Sequence, residues 1–230
     1  MPPESQPGSF LNRPYFITFE GLDGSGKTTQ IQRLTAWLIA QNIHPVVTRQ
    51  PGGTETGDRI RALLLDSKSA KLSPRAELAM MFADRAQSIE QVIAPALASD
   101  KLVICDRFTD STEAYQGGGR QLGSEIVLDL HRLICGNLQP DLTILLLPDL
   151  ASSLARARSR NNSQAVATGV DENRFEQERN SFFQRVYEKY REIAERETAR
   201  VVTLEGNFRI GAVHRQIIKT VAQRLGLKDS

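Results

Sequence analysis

Residues Gly21 to Thr28 read Gly-Leu-Asp-Gly-Ser-Gly-Lys-Thr, a fit to G-x-x-x-x-G-K-[ST], and their flanks leave little freedom in how the chain folds there. Before them runs the apolar stretch Tyr15-Phe16-Ile17-Thr18-Phe19; after them Ile31, Leu34, Trp37 and Leu38 recur at helical spacing. The order is therefore strand, tight turn, helix. Gly21, Gly24 and Gly26 permit backbone angles and close approaches that a Cβ would block. Leu22, Asp23 and Ser25 complete a loop whose amide N–H groups can turn inward around phosphate oxygens, and the helix N-terminus adds further donors. Lys27 can reach the β and γ phosphates as a point charge, and the Thr28 hydroxyl can ligate magnesium.

The rest of the chain repeats the alternation. Residues 15–20, 45–49, 102–106, 142–147 and 200–204 read as strands, and 27–41, 74–99, 122–136, 149–159, 172–197 and 210–226 as helices. This predicts an α/β fold in three layers, a five-stranded parallel sheet with helices on both faces. A chain of 230 residues suits one such domain, set here at 14–230, after a Pro-, Ser- and Gly-rich tail at 1–13. A net charge of +2 is too small to leave a nucleic-acid footprint. No apolar run approaches membrane-spanning length and the N-terminus lacks a signal-like pattern, so a cytoplasmic protein is expected. Cys105 and Cys135 read as small core hydrophobes, and the three scattered histidines have no ligand spacing.

In such folds ligands bind beyond the carboxyl ends of the strands. The second strand ends in Thr48-Arg49-Gln50-Pro51-Gly52-Gly53-Thr54, and the third in Asp106-Arg107-Phe108. Asp106 is suited to holding magnesium through water, and Arg107 to gripping a second phosphate with its planar fork. Asp149 also follows a strand, but Pro148 and the helix beyond give it a capping role. In helix 74–99, Arg85 stands beside the apolar stripe of Leu78, Met81, Phe82 and Ile89, either at a solvated edge or projecting into a pocket for a planar base. Residues 109–119 carry hydroxyl, amide and aromatic groups suited to lining a polar pocket. Arg156, Arg158, Arg160 and Arg174 flank a polar stretch, which marks about 157–173 as a mobile lid with basic hinges.

Five motifs in this order, Phe19-Glu-Gly-Leu-Asp23, Thr48-Arg-x-Pro-Gly-Gly-Thr54, Ala83-Asp-Arg-Ala-Gln87, Asp106-Arg-Phe108 and Ser111-Thr-x-Ala-Tyr-Gln-Gly117, give the chain a close resemblance to the thymidylate kinases from about residue 15 to 226. The resemblance implies ATP-dependent conversion of dTMP to dTDP with Mg2+, and a homodimer. It also implies that Asp23 bonds the deoxyribose 3′-hydroxyl and that Arg49 and Arg107 hold the dTMP phosphate. Arg85 would donate to thymine O4, with Thr112 or Gln116 near N3, and Tyr115 would crowd the 2′ position. A kinase acting on another nucleoside or monophosphate is the alternative, and a non-catalytic ATP switch a more distant one. Gly24 stands where one branch of the family carries arginine, so positive charge on the transferring phosphoryl group is expected from the lid: Arg156, Arg158, Arg160 or Arg174. Three departures stand out: Met81 at the usual aromatic position with Phe82 beside it, Gln50 in place of a common Glu, and a longer lid.

Overall fold

The strand Tyr15–Glu20 (β1) has no solvent face: in a computed structural model of the chain all six of its residues are buried. Described are residues 14–66, 72–157, 159, 174–175, 178–206 and 209–227. The expected tail and most of the expected lid, with Arg158 and Arg160, lie outside them. β1 is the centre of a five-stranded parallel sheet that also contains β2 (Val46–Arg49), β3 (Leu102–Asp106), β4 (Leu142–Leu147) and β5 (Val201–Glu205), in the order β2-β3-β1-β4-β5. Neighbours on both sides and helices on both faces leave a central strand no route to water, so its two polar residues, Thr18 and Glu20, are buried and hydrogen-bonded.

Side chains alternate between the two faces. Tyr15, Ile17 and Phe19 join Ile104, Ile144 and Leu146 on one face, where Leu34 and Leu38 of α1 (Lys27–Ala40) and Ile217 and Val221 of the C-terminal helix, Ile210–Leu225, cover them. On the other face Phe16, Val103 and Cys105 pack with Ile93, Ala96 and Phe108, while Leu145 and Leu147 pack with Val186, Tyr190 and Ile193. One polar exception crosses the sheet: Thr18 Oγ1 and Thr143 Oγ1 bond each other at 2.7 Å. The register sets Phe19 and Arg49 on either side of Asp106, and Glu20 beside Leu145. That row at the carboxyl ends is the platform for the site.

Several elements differ from the sequence expectation. A helix not anticipated, α2 (Glu55–Leu65), follows β2, its first turn capped by Thr54 Oγ1, which accepts from Gly57 N at 2.9 Å. The expected helix 74–99 is α3 (Pro74–Ser88) running on through a π-helical turn, Ile89–Ile93, and a last turn, Ala94–Ala98. The widening precedes Pro95, whose missing N–H cannot continue regular bonding. Residues 109–119 are a buried helix, α4 (Thr109–Thr112) widening into a π-helical stretch at Glu113–Gly119. Glycines at 118 and 119 are required there because a Cβ would fall 2.7 Å from Lys189 Cβ and 2.5 Å from the Phe182 ring. After α5 (Ser124–Cys135) and a helical stretch at 150–157, the helix expected from 172 begins at Asn180 instead (α6, Asn180–Arg196), and Arg174 and Phe175 lie in a turn before it. The helix Ile210–Leu225 is α7. Asp149 caps the 150–157 stretch as expected, accepting from Ser152 N at 2.9 Å.

Candidate active site

The phosphate loop closes β1 onto α1. Gly21 and Gly24 adopt φ of +130° and +76°, and a Cβ at Gly21 would meet the Leu146 carbonyl at 2.2 Å, so strand-to-loop contact as well as conformation demands glycine. Gly26 departs from the sequence expectation of a close approach. It is the N-cap of α1 at φ +100°, and a Cβ there would meet nothing within 4 Å among the described residues. Backbone conformation alone calls for glycine at this position, and the Gly26 carbonyl opens the helix by accepting from Gln30 N at 3.2 Å. Ser25 N donates to the Leu22 carbonyl at 3.2 Å, which tightens the turn.

Lys27 is buried and folded back on the loop, donating to the Gly21 and Leu22 carbonyls at 3.0 Å each. Burial, and after it the Arg107 cation, pulls its pKa down to about 8. Gly24 touches the 150–157 helix: a Cβ there would lie 2.3 Å from the Ser153 carbonyl, and Arg156 Nε donates to the Gly24 carbonyl at 2.8 Å. An arginine side chain at position 24 has no room, and Arg156 stands over the loop instead. Thr28 is exposed at the start of α1. Asp106 Oδ1 is buried with no hydrogen-bond partner among the described residues, and its charge is felt at Lys27. A carboxylate oxygen with a lone pair free next to a phosphate loop fits a hard cation carried with its waters. Magnesium would be held by Thr28 and Asp106, and would supply charge neutralisation to a bound triphosphate.

Arg107 joins this loop to a second cluster of polar side chains. Its φ is +70°, an uncommon conformation for a residue with a Cβ, and it aims the side chain back across the sheet edge. One arm donates to the Gly21 carbonyl at 2.9 Å and to Ser111 Oγ at 3.0 Å; the other pairs with Asp23 at 2.8 Å. The guanidinium lies 5.2 Å from the centre of the Tyr115 ring, and the Tyr115 hydroxyl reaches Asp23 at 3.4 Å. Asp23, Arg107 and Tyr115 are thus brought together. Behind them Glu20 Oε1 accepts from Phe108 N at 2.7 Å, and Oε2 accepts from Ser111 Oγ and Tyr190 Oη. Burial, then the Asp110 charge, pushes the Glu20 carboxyl up to about 7.

Arg85 resolves its two sequence alternatives in favour of the interior, at 2% exposure. Nε donates to Gln50 Oε1 at 2.9 Å, and one terminal nitrogen donates to the Phe108 carbonyl at 3.0 Å and to Thr112 Oγ1 at 2.8 Å. Its other terminal nitrogen, Nη1, is buried with no partner among the described residues. Gln50 therefore orients an arginine. Phe82 is fully buried with Leu78, Val127 and Cys135, its ring 5.0 Å from the Arg85 guanidinium. Met81, half-buried, packs instead toward the cluster of Leu22 and Tyr115. Met81 thus faces the Leu22 and Tyr115 cluster, and Phe82 the Arg85 guanidinium. One carboxyl oxygen of Asp84 takes the Gly52 N–H at 2.8 Å, which fixes the glycine turn after β2.

Two expected phosphate ligands are engaged elsewhere. Arg49 is half-exposed and pairs with Asp58 at 3.0 Å. Arg174 is buried, bonded to the Leu64 carbonyl and to Glu77 Oε2, the latter at 2.6 Å. It stands against α2 and α3, whereas Arg156 contacts the phosphate loop. Tyr190 and Glu77 are residues the sequence reading passed over, while Glu20 and Ser111 stood in its motifs with no role assigned. Glu20 was visible as an acid at a strand's carboxyl end; Tyr190 sits at ordinary core spacing and gave no signal.

A glycine-rich phosphate loop bonded through Arg107 to a polar cluster, with a buried guanidinium at Arg85 nearby, offers cations to more than one phosphate or base. The sequence model of the family described as Thymidylate kinase matches residues 19–217. This chain belongs to the thymidylate kinase family. Family members among characterised proteins are similar over most of their length. The thymidylate kinase of Pelobacter propionicus is 44% identical over 209 residues, 91% of this chain and 94% of that protein. That of Solidesulfovibrio magneticus is 49% identical over 190 residues, 83% and 90% of the two. The crystal structure of thymidylate kinase from Ehrlichia chaffeensis superposes with a TM-score of 0.71 at 32% identity, covering 91% of this chain and 98% of that one. Met81 packs toward the Leu22 and Tyr115 cluster and Gln50 accepts from Arg85 Nε.

Proposed function

We propose that the chain transfers the γ-phosphoryl group of ATP to dTMP, with Mg2+, giving dTDP and ADP. The observation that carries this is Arg107, whose fork bonds the first glycine of the phosphate loop and the Asp23 carboxylate at once, so that donor and acceptor sites share one cation. A phosphate monoester has a second pKa of about 6 and is largely dianionic at neutral pH, so no general base is needed. What remains is alignment and charge. Lys27, below its pKa of about 8, carries a cation to the transferring group from within the loop. Arg156 adds a second from the helix above Gly24, with Arg158 and Arg160 as further candidates. An arginine so placed contributes roughly 10³ to 10⁵ in rate in related transfers. Arg174 acts as a wall of the acceptor pocket, its charge committed to Glu77.

On the acceptor side, Asp23 would take the 3′-hydroxyl, Arg107 the phosphate, joined by Arg49 on leaving its exposed pair with Asp58, Arg85 the base edge, and Met81 the ring face. A thioether lies well against an aromatic ring. The Tyr115 ring, held edge-on by Phe175 at 5.7 Å and Tyr190 at 6.4 Å, has no freedom to swing away from a 2′-hydroxyl. Among the described residues no helix is long and apolar enough to cross a membrane. ADP release coupled to NADH oxidation, measured with dTMP, dUMP, UMP, CMP and AMP as acceptors, tests the proposal. Highest kcat/KM is expected for dTMP, and higher activity with any other acceptor would overturn it.

A further inference from the structure

Glu77, about two turns before Arg85 on α3, is fully buried and makes contacts from both oxygens. Oε2 accepts from Arg120 at 3.0 Å and from Arg174 at 2.6 Å. Oε1 accepts from Gln116 Nε2 at 2.8 Å. A carboxylate set between two guanidiniums offers acceptors only, so the amide of Gln116 has no choice of orientation: its NH2 end must face Glu77. The carbonyl end, Oε1, is then turned the other way. It is buried, and among the described residues no donor meets it. Gln116 lies four residues after Thr112, the residue whose hydroxyl Arg85 holds at 2.8 Å, and Arg85 Nη1 is another buried atom with no partner among the described residues.

We infer that Glu77 is a positioning residue that locks the Gln116 amide with its acceptor toward the base, and so selects thymine over cytosine. This rests on the proposed function above. With Thr112 bonded to Arg85 and one helical turn before Gln116, the two unpartnered atoms would offer a donor and an acceptor to the edge of a bound base. Thymine and uracil present O4 as an acceptor and N3–H as a donor, which answer both. Cytosine presents the reverse, an amino group at position 4 and a bare N3, so donor would face donor and acceptor would face acceptor. A site built from fixed buried polar groups rejects the mismatched partner strongly because both sets of groups lose their water with no bond in return. Were the Gln116 amide free to turn over, it would offer its NH2 to cytosine N3 and the discrimination at that atom would vanish. Arg174 and Arg120 enter through the same carboxylate. They fix its position, and Arg174 thereby ties the segment before α6 to the base pocket.

The experiment is the ratio of kcat/KM for dTMP to that for dCMP, with dUMP as a control that shares thymine's polar edge. In Glu77→Gln the new side chain can itself donate, which frees the Gln116 amide to flip. The dTMP/dCMP ratio is expected to fall at least about tenfold, with the dTMP/dUMP ratio unchanged and no further fall on adding Gln116→Leu. A purely structural role for Glu77 would lower turnover of all three substrates together; a dTMP/dCMP ratio within twofold of native overturns the inference. If Glu77→Gln does not fold, Gln116→Leu alone decides on the same threshold. Failure of the functional proposal looks different, since the unaltered protein would then show no preference for dTMP.

Discussion

At the residue scale, Lys27 has the most consequential environment. Its ammonium is held by two carbonyls and buried beside Arg107, and the result is a pKa pulled from 10.5 to about 8. A lowered pKa means the free site loses its cation as pH rises through 8, whereas a bound triphosphate would hold the proton on. ATP binding above pH 8 must then take up a proton. At saturating dTMP, kcat/KM for ATP is expected to fall toward tenfold per pH unit between about pH 8.5 and 9.5, a pKa unit being a factor of ten. Lys27→Arg should flatten that limb, and a level profile to pH 9.5 in the native protein would contradict the environment described. The loop's identity was plain in the sequence because G-x-x-x-x-G-K-T is a local pattern. Which of Met81 and Phe82 faces the Leu22 and Tyr115 cluster was not. Both lie on the same stripe of α3, and only the burial of Phe82 against Val127 and Cys135 of α5 separates them.

Among elements, the helical stretch at 150–157 matters beyond its length because it rests on Gly24. A Cβ at that position would lie 2.3 Å from the Ser153 carbonyl and 2.8 Å from Ala157 N, with φ already at +76°. Gly24→Ala is therefore expected to push the stretch off the loop and break the Arg156 bond. Turnover should fall by roughly 100-fold, the scale of losing one preorganised charge contact, while dTMP affinity, measured by calorimetry, stays within about threefold. Equal loss of dTMP binding would show that the stretch supports the whole site and not the donor side. Elements were legible wherever the hydrophobic period was strong, and all five strands came out within a residue or so of their bounds. α2 was missed because Glu-Thr-Gly-Asp-Arg-Ile-Arg opens with too few apolar residues to show a stripe, and only Gly57 and Leu64 are buried. The start of α6 was set too early because Arg174 and Phe175 look helical by composition, yet Glu77 and the Tyr115 ring claim them from across the fold.

For the whole molecule, the buried acid of β1 links site chemistry to stability. Glu20 is pushed from 4.5 to about 7, first by burial and then by Asp110. The folded state keeps this proton to higher pH than the unfolded chain, so the contribution is complete below pH 4.5 and is lost as pH rises through 7. Glu20→Gln, which retains an acceptor for Phe108 N, should therefore gain on the native protein between pH 5 and pH 8. With about 2–4 °C per kcal/mol for a chain this size, thermal melts at the two pH values would resolve it. An unchanged gap between variant and native would refute the shift. The fold as a whole was readable because strands and helices alternate; the joining of the sites was not, since Arg107 reaches Gly21 and Asp23 from more than 80 positions away in the chain. The run Gly117-Gly118-Gly119 carries this to variation in the sequence. It looks like a spacer open to drift, but the Gly123 carbonyl at Gly117, and Lys189 and Phe182 of α6 at Gly118 and Gly119, press against it where side chains would stand. A mutational scan would find a bearing surface there, as intolerant as the phosphate loop itself and for a reason unrelated to chemistry.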